Sequence, residues 1–295
     1  VPVMDDVALA KAAEQLITGA MKFGGGWIHK WGTAAALVPY IAYGLVPVKN
    51  YTTNVYSEEI AEKLSSEYMC THFEHKLKPC WACRSNHLRW VKVTEGPYKG
   101  VEWEEPEYEC VAAWGPQTGH TDPGAIVMLT GLVDGLGLDV NESGWLIGWV
   151  MECYEKGLLK KEDLDDVEMR WGDPEATRAM LLKIAHREGI GNLLAEGVKR
   201  AAERLGGEAV EIGVYTLRGA TPRGHDHRSR WIEMLETCVS GTSTVETQEG
   251  FPMIQLLGKG KLENPFSPDE VSTHNAKYNG WKQFEESLGI CTFCV

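Results

Sequence analysis

Apolar residues recur at helical spacing through most of the first two thirds of the chain. Residues 5–22 carry Ala and Leu at that spacing and end at Gly24-Gly25-Gly26. A second, buried helix is predicted over residues 31–44, with a kink or a first turn at Pro39. An amphipathic helix with acidic residues in its first turn follows over residues 57–70.

The middle of the chain has four more helical segments. Asp122-Pro123 begins the first, because an Asp side chain caps free N–H groups and proline fits the first helical position. Asn141 or Ser143 is expected to cap the next segment, and Asp173-Pro174 begins the third. The predicted segments are residues 122–132, 145–156, 173–189 and 192–205.

Extended structure is predicted in a short hairpin formed by residues 88–93 and 101–105. After about residue 213, Gly, Ser, Thr and Pro become common, and only residues 230–236 and 274–286 keep a helical pattern. The sequence therefore predicts a mainly α protein with two largely helical domains, residues 1–213 and 214–295.

Composition narrows the class of protein. A formal net charge of −13 over 295 residues argues against nucleic acid or an anionic membrane surface as a partner. No apolar run approaches the roughly 18 residues of a membrane span, and no charged-then-apolar leader precedes one. Eight cysteines in a chain of this size are not typical of a secreted disulfide scaffold, so a reducing, cytoplasmic setting is predicted.

The main chemical signal is the C-x2-C-x3-H pattern of Cys80, Cys83 and His87. Two thiolates and an imidazole at this spacing can converge on one metal ion or iron–sulfur cluster. Cys291, far along the chain, is the candidate fourth ligand. The spacing alone leaves open a zinc site, an iron–sulfur cluster and unligated thiols.

A dense acidic segment, residues 104–110, is the second signal. Such a segment is usually a solvated acidic turn. Here an apolar run, Val111 to Gly115, follows at once. A carboxylate at the edge of that run would be partly desolvated, which raises its pKa and suits it to proton transfer. Glu109 lies closest to the run and is the candidate catalytic carboxylate.

Five stretches together resemble the tungsten-containing aldehyde ferredoxin oxidoreductase family. They are Cys80-x2-Cys83-x3-His87, Pro106-Glu-Tyr-Glu109, Asp134-x2-Gly137-Leu138-Asp139, residues 187–197 and Leu288-Gly-Ile-Cys291, in the family's order. The resemblance implies the family's middle domain and the first part of its third, both largely helical, without the β-rich N-terminal domain that covers the pterins. Because the chain opens on Val1 and stops soon after Cys291, we expect a fragment.

The resemblance also implies the cofactors, a tungsten (or molybdenum) ion held by two pterin dithiolenes and a four-iron–four-sulfur (4Fe-4S) cluster. Cys80, Cys83 and Cys291 match cluster cysteines, and His87 stands where the family usually has another cysteine.

One copy of an Asp-x-x-Gly-Leu-Asp/Cys motif serves each pterin in the family. The matching residues are Asp134, Gly137, Leu138 and Asp139 in the first copy and Glu286, Gly289, Ile290 and Cys291 in the second. Glu286 replaces the usual Asp, which moves the carboxylate by one methylene. Without the resemblance, an ordinary glycine C-cap explains each turn.

Glu109 matches the family's active-site glutamate, whereas the histidine that usually partners it has no clear match. Residues 242–250, where that histidine is expected, contain none. His225 and His227, in Arg223-Gly-His-Asp-His-Arg228, could substitute for it. Either could equally be a surface or core histidine.

The implied reaction is oxidation of an aldehyde with water to a carboxylate, with electrons passing through tungsten and the cluster to ferredoxin or another electron-carrier subunit. A small aldehyde or acyl substrate and a homo- or hetero-oligomeric assembly are expected. One alternative is a tungsten subunit of an aromatic acyl-CoA (benzoyl-CoA type) reductase, in which the thiol of Cys110 binds tungsten. Another is a non-catalytic iron–sulfur or zinc module.

Overall fold

The computed structural model describes residues 4–22, 26–81, 83, 86–239, 262–278, 287 and 289. The prediction of a mainly α fold is confirmed. The helices are α1 (Asp6–Lys22), α2 (Trp27–Trp31), α3 (Leu37–Ala42), α4 (Glu58–Leu64), α5 (Ser66–His72), α6 (Tyr108–Ala112), α7 (Pro123–Leu136), α8 (Val140–Glu155), α9 (Pro174–His186), α10 (Gly191–Leu194), α11 (Val198–Leu205), α12 (Glu208–Glu211), α13 (Trp231–Val239) and α14 (Pro268–Tyr278).

Two helices begin where the sequence predicts. The Asp122 carboxylate accepts a hydrogen bond from the backbone N–H of Ala125 at the start of α7, and Asp173 caps α9 in the same way. The expected cap of α8 is wrong. Asp139 caps it, because its Oδ1 accepts from the N–H of Glu142 at 2.7 Å, so α8 begins earlier than expected.

The expected helix over residues 57–70 is two helices. Ser65 has an extended backbone that ends α4, and its hydroxyl accepts from the N–H of Tyr68 to start α5. The predicted hairpin is present and has a third strand that the sequence did not indicate. The sheet is antiparallel with the order β1 (Glu74–Leu77), β2 (Arg89–Lys92) and β3 (Glu102–Glu104).

The core lies between α6, α7, α8 and α9. After α6 the chain continues as one wide π-helical turn, Ala113–Gln117, which contains Pro116. The largest buried side chains include Trp114 in this turn and Trp145 and Trp149 in α8. Gly144 lets α8 approach closely, because a Cβ there would come within 2.7 Å of the Cβ of Ala113. Close packing of α8 against this turn fixes the position of α6.

The described helices differ in length and apolar character from membrane-spanning helices. Among the described residues, no single helix has both the length and the apolar character needed to cross a bilayer. The consecutive helices α7 and α8 together reach that length and apolar character, but they are bent by 117° relative to each other. The domain boundary near residue 213 stays a prediction.

Candidate active site

Glu109 lies in the first turn of α6 and forms an ion pair with Arg223. The two side chains are 21% and 19% exposed. Burial pushes the pKa of Glu109 upward, but the charge and the hydrogen bond of the Arg223 guanidinium outweigh it and hold this pKa below its usual range. The expectation that desolvation would raise the pKa of Glu109 is therefore wrong. The carboxylate is held in its ionised form.

Within the acidic segment, residues 104–110, the carboxyl group with a raised pKa is that of Glu105, directly after β3. Burial raises its pKa to about 7, although Arg89 pairs with it at 3.1 Å. Gly32 lies directly against it, since a Cβ at that position would come within 2.6 Å of Oε1 of Glu105. The crevice beside it, which Thr33 also lines, is too small to hold a water molecule. Glu105 is therefore enclosed.

His225 is buried and contacts a buried carboxylate. Its Nδ1 lies 2.6 Å from Oε1 of Glu233 in α13. Burial lowers the pKa of His225. Although burial opposes it, His225 and Arg230 hold the pKa of Glu233 well below its usual range. An ionised Glu233 can only accept, so Nδ1 of His225 carries the proton and Nε2 keeps its lone pair.

Aromatic rings surround this imidazole. The ring of Tyr108 lies 5.1 Å from that of His225, and Tyr40 contacts it edge-on at 5.9 Å. His227 approaches the same carboxylate, with Nε2 at 3.4 Å from Oε1 of Glu233. His225 and His227 are therefore both buried and both directed at Glu233, which excludes the surface interpretation of either residue.

The segment that carries Arg223 and His225 is held by α6 and by the first turn of α8. Oδ1 of Asn141 accepts from the N–H of Gly224 at 3.1 Å, and the hydroxyl of Tyr108 donates to the carbonyl of Gly224 at 2.8 Å. Glu142 accepts from the hydroxyl of Thr221 at 2.8 Å. Because Asp139 caps the same helix, the predicted pterin turn and the histidine segment share one support.

The predicted first pterin turn joins α7 to α8 at the surface. Gly137 ends α7 with a left-handed φ of 68°, which glycine adopts without strain. The backbone is thus that of an ordinary glycine C-cap. Oδ2 of Asp134 accepts from Nε1 of Trp103 at 2.9 Å. Within the described residues, the second oxygens of Asp134 and Asp139 have no partner, so both exposed carboxylates remain available to a ligand rich in N–H groups.

The predicted cluster ligands are only partly covered. Cys80 is exposed, Cys83 is half-buried, and the N–H of Cys83 donates to the carbonyl of Cys80 at 3.0 Å. His87 is buried, with Nε2 at 3.6 Å from Oε1 of Glu107. Across the described ranges, no three Cys, His, Asp or Glu side chains are grouped so that they could hold a metal ion. Cys291 lies outside those ranges, so the ligand set stays a prediction.

The second pterin motif cannot be placed in the same way. Glu286, Ile290 and Cys291 lie outside the described residues, and Gly289 has a left-handed φ of 72°. Cys110, the candidate tungsten ligand of the acyl-CoA alternative, is buried in the core. Burial raises the pKa of its thiol, and the nearby carboxylates of Asp134 and Glu109 raise it further. This environment favours the neutral thiol as a small apolar side chain.

Two residues of the site were not predicted. They are Arg223, which pairs with Glu109, and Glu233, which contacts His225. The charged residues around His225 in the sequence gave a signal for Arg223. Glu233 is found only from the structure, because α13 brings it back onto a segment eight residues earlier.

A helical fold with a buried carboxylate and two buried histidines defines a protein with an internal acid–base cluster. Residues 8–295 match the family described as aldehyde ferredoxin oxidoreductase, domains 2 and 3, and the chain belongs to that family. The resemblance found in the sequence is confirmed.

Relatives and a solved structure agree with this assignment. The chain is 38% identical over 213 residues to a tungsten-containing aldehyde ferredoxin oxidoreductase of Pyrococcus furiosus, covering 68% of this chain and 33% of the relative. It is 35% identical over 215 residues to an aliphatic sulfonate oxidoreductase, WOR-like subunit, of the same organism, covering 68% and 32%. The chain thus spans about a third of the length of these curated relatives.

One solved structure that the chain matches is the active site complex BamBC of benzoyl coenzyme A reductase in complex with 1,5-dienoyl-CoA. The TM-score is 0.60 at 16% identity, over 81% of this chain and 37% of that one. At this identity the match shows the fold alone.

Proposed function

We propose that the chain is part of a tungsten oxidoreductase that oxidises an aldehyde to a carboxylate in the cytoplasm. Water supplies the second oxygen atom, and each turnover releases three protons and two electrons. Ferredoxin or another electron-carrier subunit accepts the electrons. One curated relative of Pyrococcus furiosus is named a tungsten-containing aldehyde ferredoxin oxidoreductase, and the activity is proposed here for the whole protein of which this chain is a part.

The observation that carries the proposal is the convergence of Glu109 with His225. The carboxylate comes from the Pro106-Glu-Tyr-Glu109 motif, and the imidazole comes from a segment more than a hundred residues later. Arg223, two residues before His225, pairs with Glu109, and the ring of Tyr108, the neighbour of Glu109 in the chain, lies 5.1 Å from that of His225. Both pKa values are lowered, which leaves the carboxylate ionised and the imidazole neutral, so both groups are suited to accept protons released in one turnover.

The roles of the side chains follow from their protonation states. Arg223 keeps Glu109 ionised, so this carboxylate accepts a proton from the water that adds to the aldehyde. Glu233 accepts a hydrogen bond from Nδ1–H of His225, so Nε2 of that ring keeps its lone pair and points away from Glu233. His225 is then the second proton acceptor, and Tyr108 and Tyr40 exclude water from one side of it.

The donor chemistry at the predicted cofactor residues fits the proposal. Asp134 and Asp139 would hold one pterin through their available carboxylate oxygens. Cys80, Cys83 and His87 supply thiolate and imidazole groups that suit an iron–sulfur cluster, with Cys291 as the proposed fourth ligand. When bound, the tungsten–pterin group accepts an electron pair, and the cluster passes electrons singly.

The test is elemental analysis of the whole protein together with aldehyde-dependent reduction of an electron-accepting dye. Tungsten and iron together with aldehyde turnover would support the proposal. Tungsten and iron without aldehyde turnover, but with reduction of an aromatic acyl-CoA, would replace it with the acyl-CoA reductase. Zinc alone would reduce the chain to a non-catalytic module.

A further inference from the structure

A left-handed turn precedes the site in the chain, after α3. Three consecutive residues, Lys49, Asn50 and Tyr51, have φ values of 43°, 52° and 66°. Residues with a side chain rarely adopt this region, and Asn tolerates it better than Lys or Tyr. Non-glycine residues in this conformation persist only where the surroundings determine it, and they cluster at functional sites.

The turn is fixed by buried hydrogen bonds. Nδ2 of Asn50 donates to Oε2 of Glu152 at 2.7 Å and to the carbonyl of Ile212 at 2.9 Å. The N–H of Lys49 donates to the carbonyl of Pro116 in the π-helical turn at 3.0 Å. The turn is therefore anchored to α8 and to the continuation of α6, the two elements that also support the histidine segment.

The turn places the hydroxyl of Tyr51 between the two histidines. The hydroxyl donates to the carbonyl of His225 at 3.0 Å and lies 3.1 Å from Nδ1 of His227, and its oxygen accepts from the backbone N–H of His227 at 3.3 Å. The ring contacts Trp145 edge-on, with 4.7 Å between the ring centroids, and the guanidinium of Arg228 lies over it, 4.7 Å from its centroid. Burial raises the pKa of Tyr51, so the hydroxyl stays protonated and can donate.

The position of one proton follows from these contacts. Nε2 of His227 lies 3.4 Å from the ionised Glu233, and a lone pair there would face a negative charge. The proton of a neutral His227 therefore belongs on Nε2, which leaves Nδ1 as an acceptor. The hydroxyl of Tyr51 has one proton and two acceptors within reach, the carbonyl of His225 at 3.0 Å and this Nδ1 at 3.1 Å.

We propose that Tyr51 is a positioning residue that shares its one hydroxyl proton between the carbonyl of His225 and Nδ1 of His227 and fixes the tautomer with the proton on Nε2. The oxygen of the same hydroxyl accepts from the backbone N–H of His227, which holds the segment from His225 to His227 in place. With His227 fixed, Glu233 keeps its orientation toward Nδ1 of His225. The catalytic consequence rests on the proposed function, whereas the tautomer does not.

The test is Tyr51→Phe, with Tyr56→Phe as the matched control. Tyr56 is also half-buried, and its hydroxyl donates to a backbone carbonyl, that of His120, at 3.1 Å. The tautomers are read from the ring nitrogen shifts and two-bond proton–nitrogen correlations of ¹⁵N-labelled protein. We expect the proton of His227 on Nε2 in the unmodified protein and in Tyr56→Phe, and a mixture of tautomers in Tyr51→Phe.

Turnover supplies the second measurement. Loss of one hydrogen bond in the site should lower kcat by roughly two- to tenfold in Tyr51→Phe with a smaller change in KM, and Tyr56→Phe should leave both unchanged.

Two results overturn the proposal: a proton on Nδ1 of His227 in the unmodified protein, or an unchanged tautomer in Tyr51→Phe. The first needs no variant, so a failure of Tyr51→Phe to fold does not block the test. If the tautomers behave as expected and no aldehyde is oxidised by the unmodified protein, the proposed function fails and the role of Tyr51 stands.

Discussion

Replacing Glu109 with Gln tests the proposed acid–base chemistry directly. The amide keeps the shape of the side chain and one oxygen that can accept from Arg223, but it removes the charge and the titrating proton. Positioned general acid–base catalysis typically contributes a hundredfold or more. We therefore expect kcat to fall by at least about a hundredfold, which corresponds to about 2.7 kcal/mol of transition-state stabilisation.

The same change has a stability cost that the structure bounds. Exposed ion pairs contribute about 0–1 kcal/mol, and breaking a fully buried pair costs about 3–5 kcal/mol. Glu109 and Arg223 are 21% and 19% exposed, which places the pair between these limits. We expect a loss of about 1–3 kcal/mol in the free energy of unfolding.

The pH dependence of this stability is a separate signature. The pKa of Glu109 is lower in the folded protein than its ordinary value. Its contribution is thus complete above the ordinary carboxyl range and is lost as the pH falls through the folded pKa. In Glu109→Gln this part of the acid-side loss should disappear.

The assay is dye-linked aldehyde oxidation, with tungsten and iron measured on the same samples and unfolding followed in urea. Glu104→Gln is the control, because Glu104 lies in the same acidic segment and pairs with Lys78 at the surface. We expect unchanged metal contents in both variants. Near-normal turnover in Glu109→Gln would refute the reasoning and make His225 the first residue to examine as the proton acceptor.

Three further outcomes are expected. Burial lowers the pKa of His120 below its ordinary 6.5, so the folded protein favours the neutral imidazole and loses stability as the pH falls below that value. Between about pH 6.5 and 5, the free energy of unfolding should therefore fall less in His120→Gln than in the unmodified protein. Gly191→Ala should cost about 1–3 kcal/mol, because the added methyl group would collide with the backbone of α9, whereas Gly135→Ala, with open space around it, should not destabilise. Cys80→Ala should remove iron, and Cys238→Ala, an exposed cysteine with no predicted role, should not; equal iron contents would refute the predicted ligand set.

Local signals in the sequence predicted much of the helical framework. Asp122-Pro123 and Asp173-Pro174 are helix starts because the cap and the proline act within a few residues. Ser65 was missed as a boundary because a serine can lie within a helix or cap one, and the choice depends on its extended backbone. Strand β1 was missed because all four of its residues are exposed and show no alternation.

The candidate site was less accessible to sequence reasoning. Glu109 and the two histidines were identified, but the expected direction of the pKa shift of Glu109 was wrong. Nothing near Glu109 in the sequence indicates its partner Arg223, which is more than a hundred residues away. Glu105, with the greater burial, has the raised pKa instead. The role of Tyr51 depends on a left-handed turn at Lys49 and Asn50, and the sequence did not indicate this turn because it contains no glycine.

The π-helical turn Ala113–Gln117 affects how this chain is compared with others. A π-helical turn contains one residue more than an α-helical turn, and one residue corresponds to about 100° of rotation around the helix axis. In this widened turn the carbonyl of Trp114 lies 2.6 Å from Nδ1 of His120, and the carbonyl of Pro116 accepts a hydrogen bond from the backbone N–H of Lys49. A homologue with one residue fewer at this point would have to give up those pairings or rotate the chain on one side of the gap. The residues before and after Ala113–Gln117 should therefore be aligned with a homologue separately, backward to Glu109 and forward to Asp134. A single-residue deletion within this turn should disturb the site more than the number of residues between the turn and Glu109 suggests.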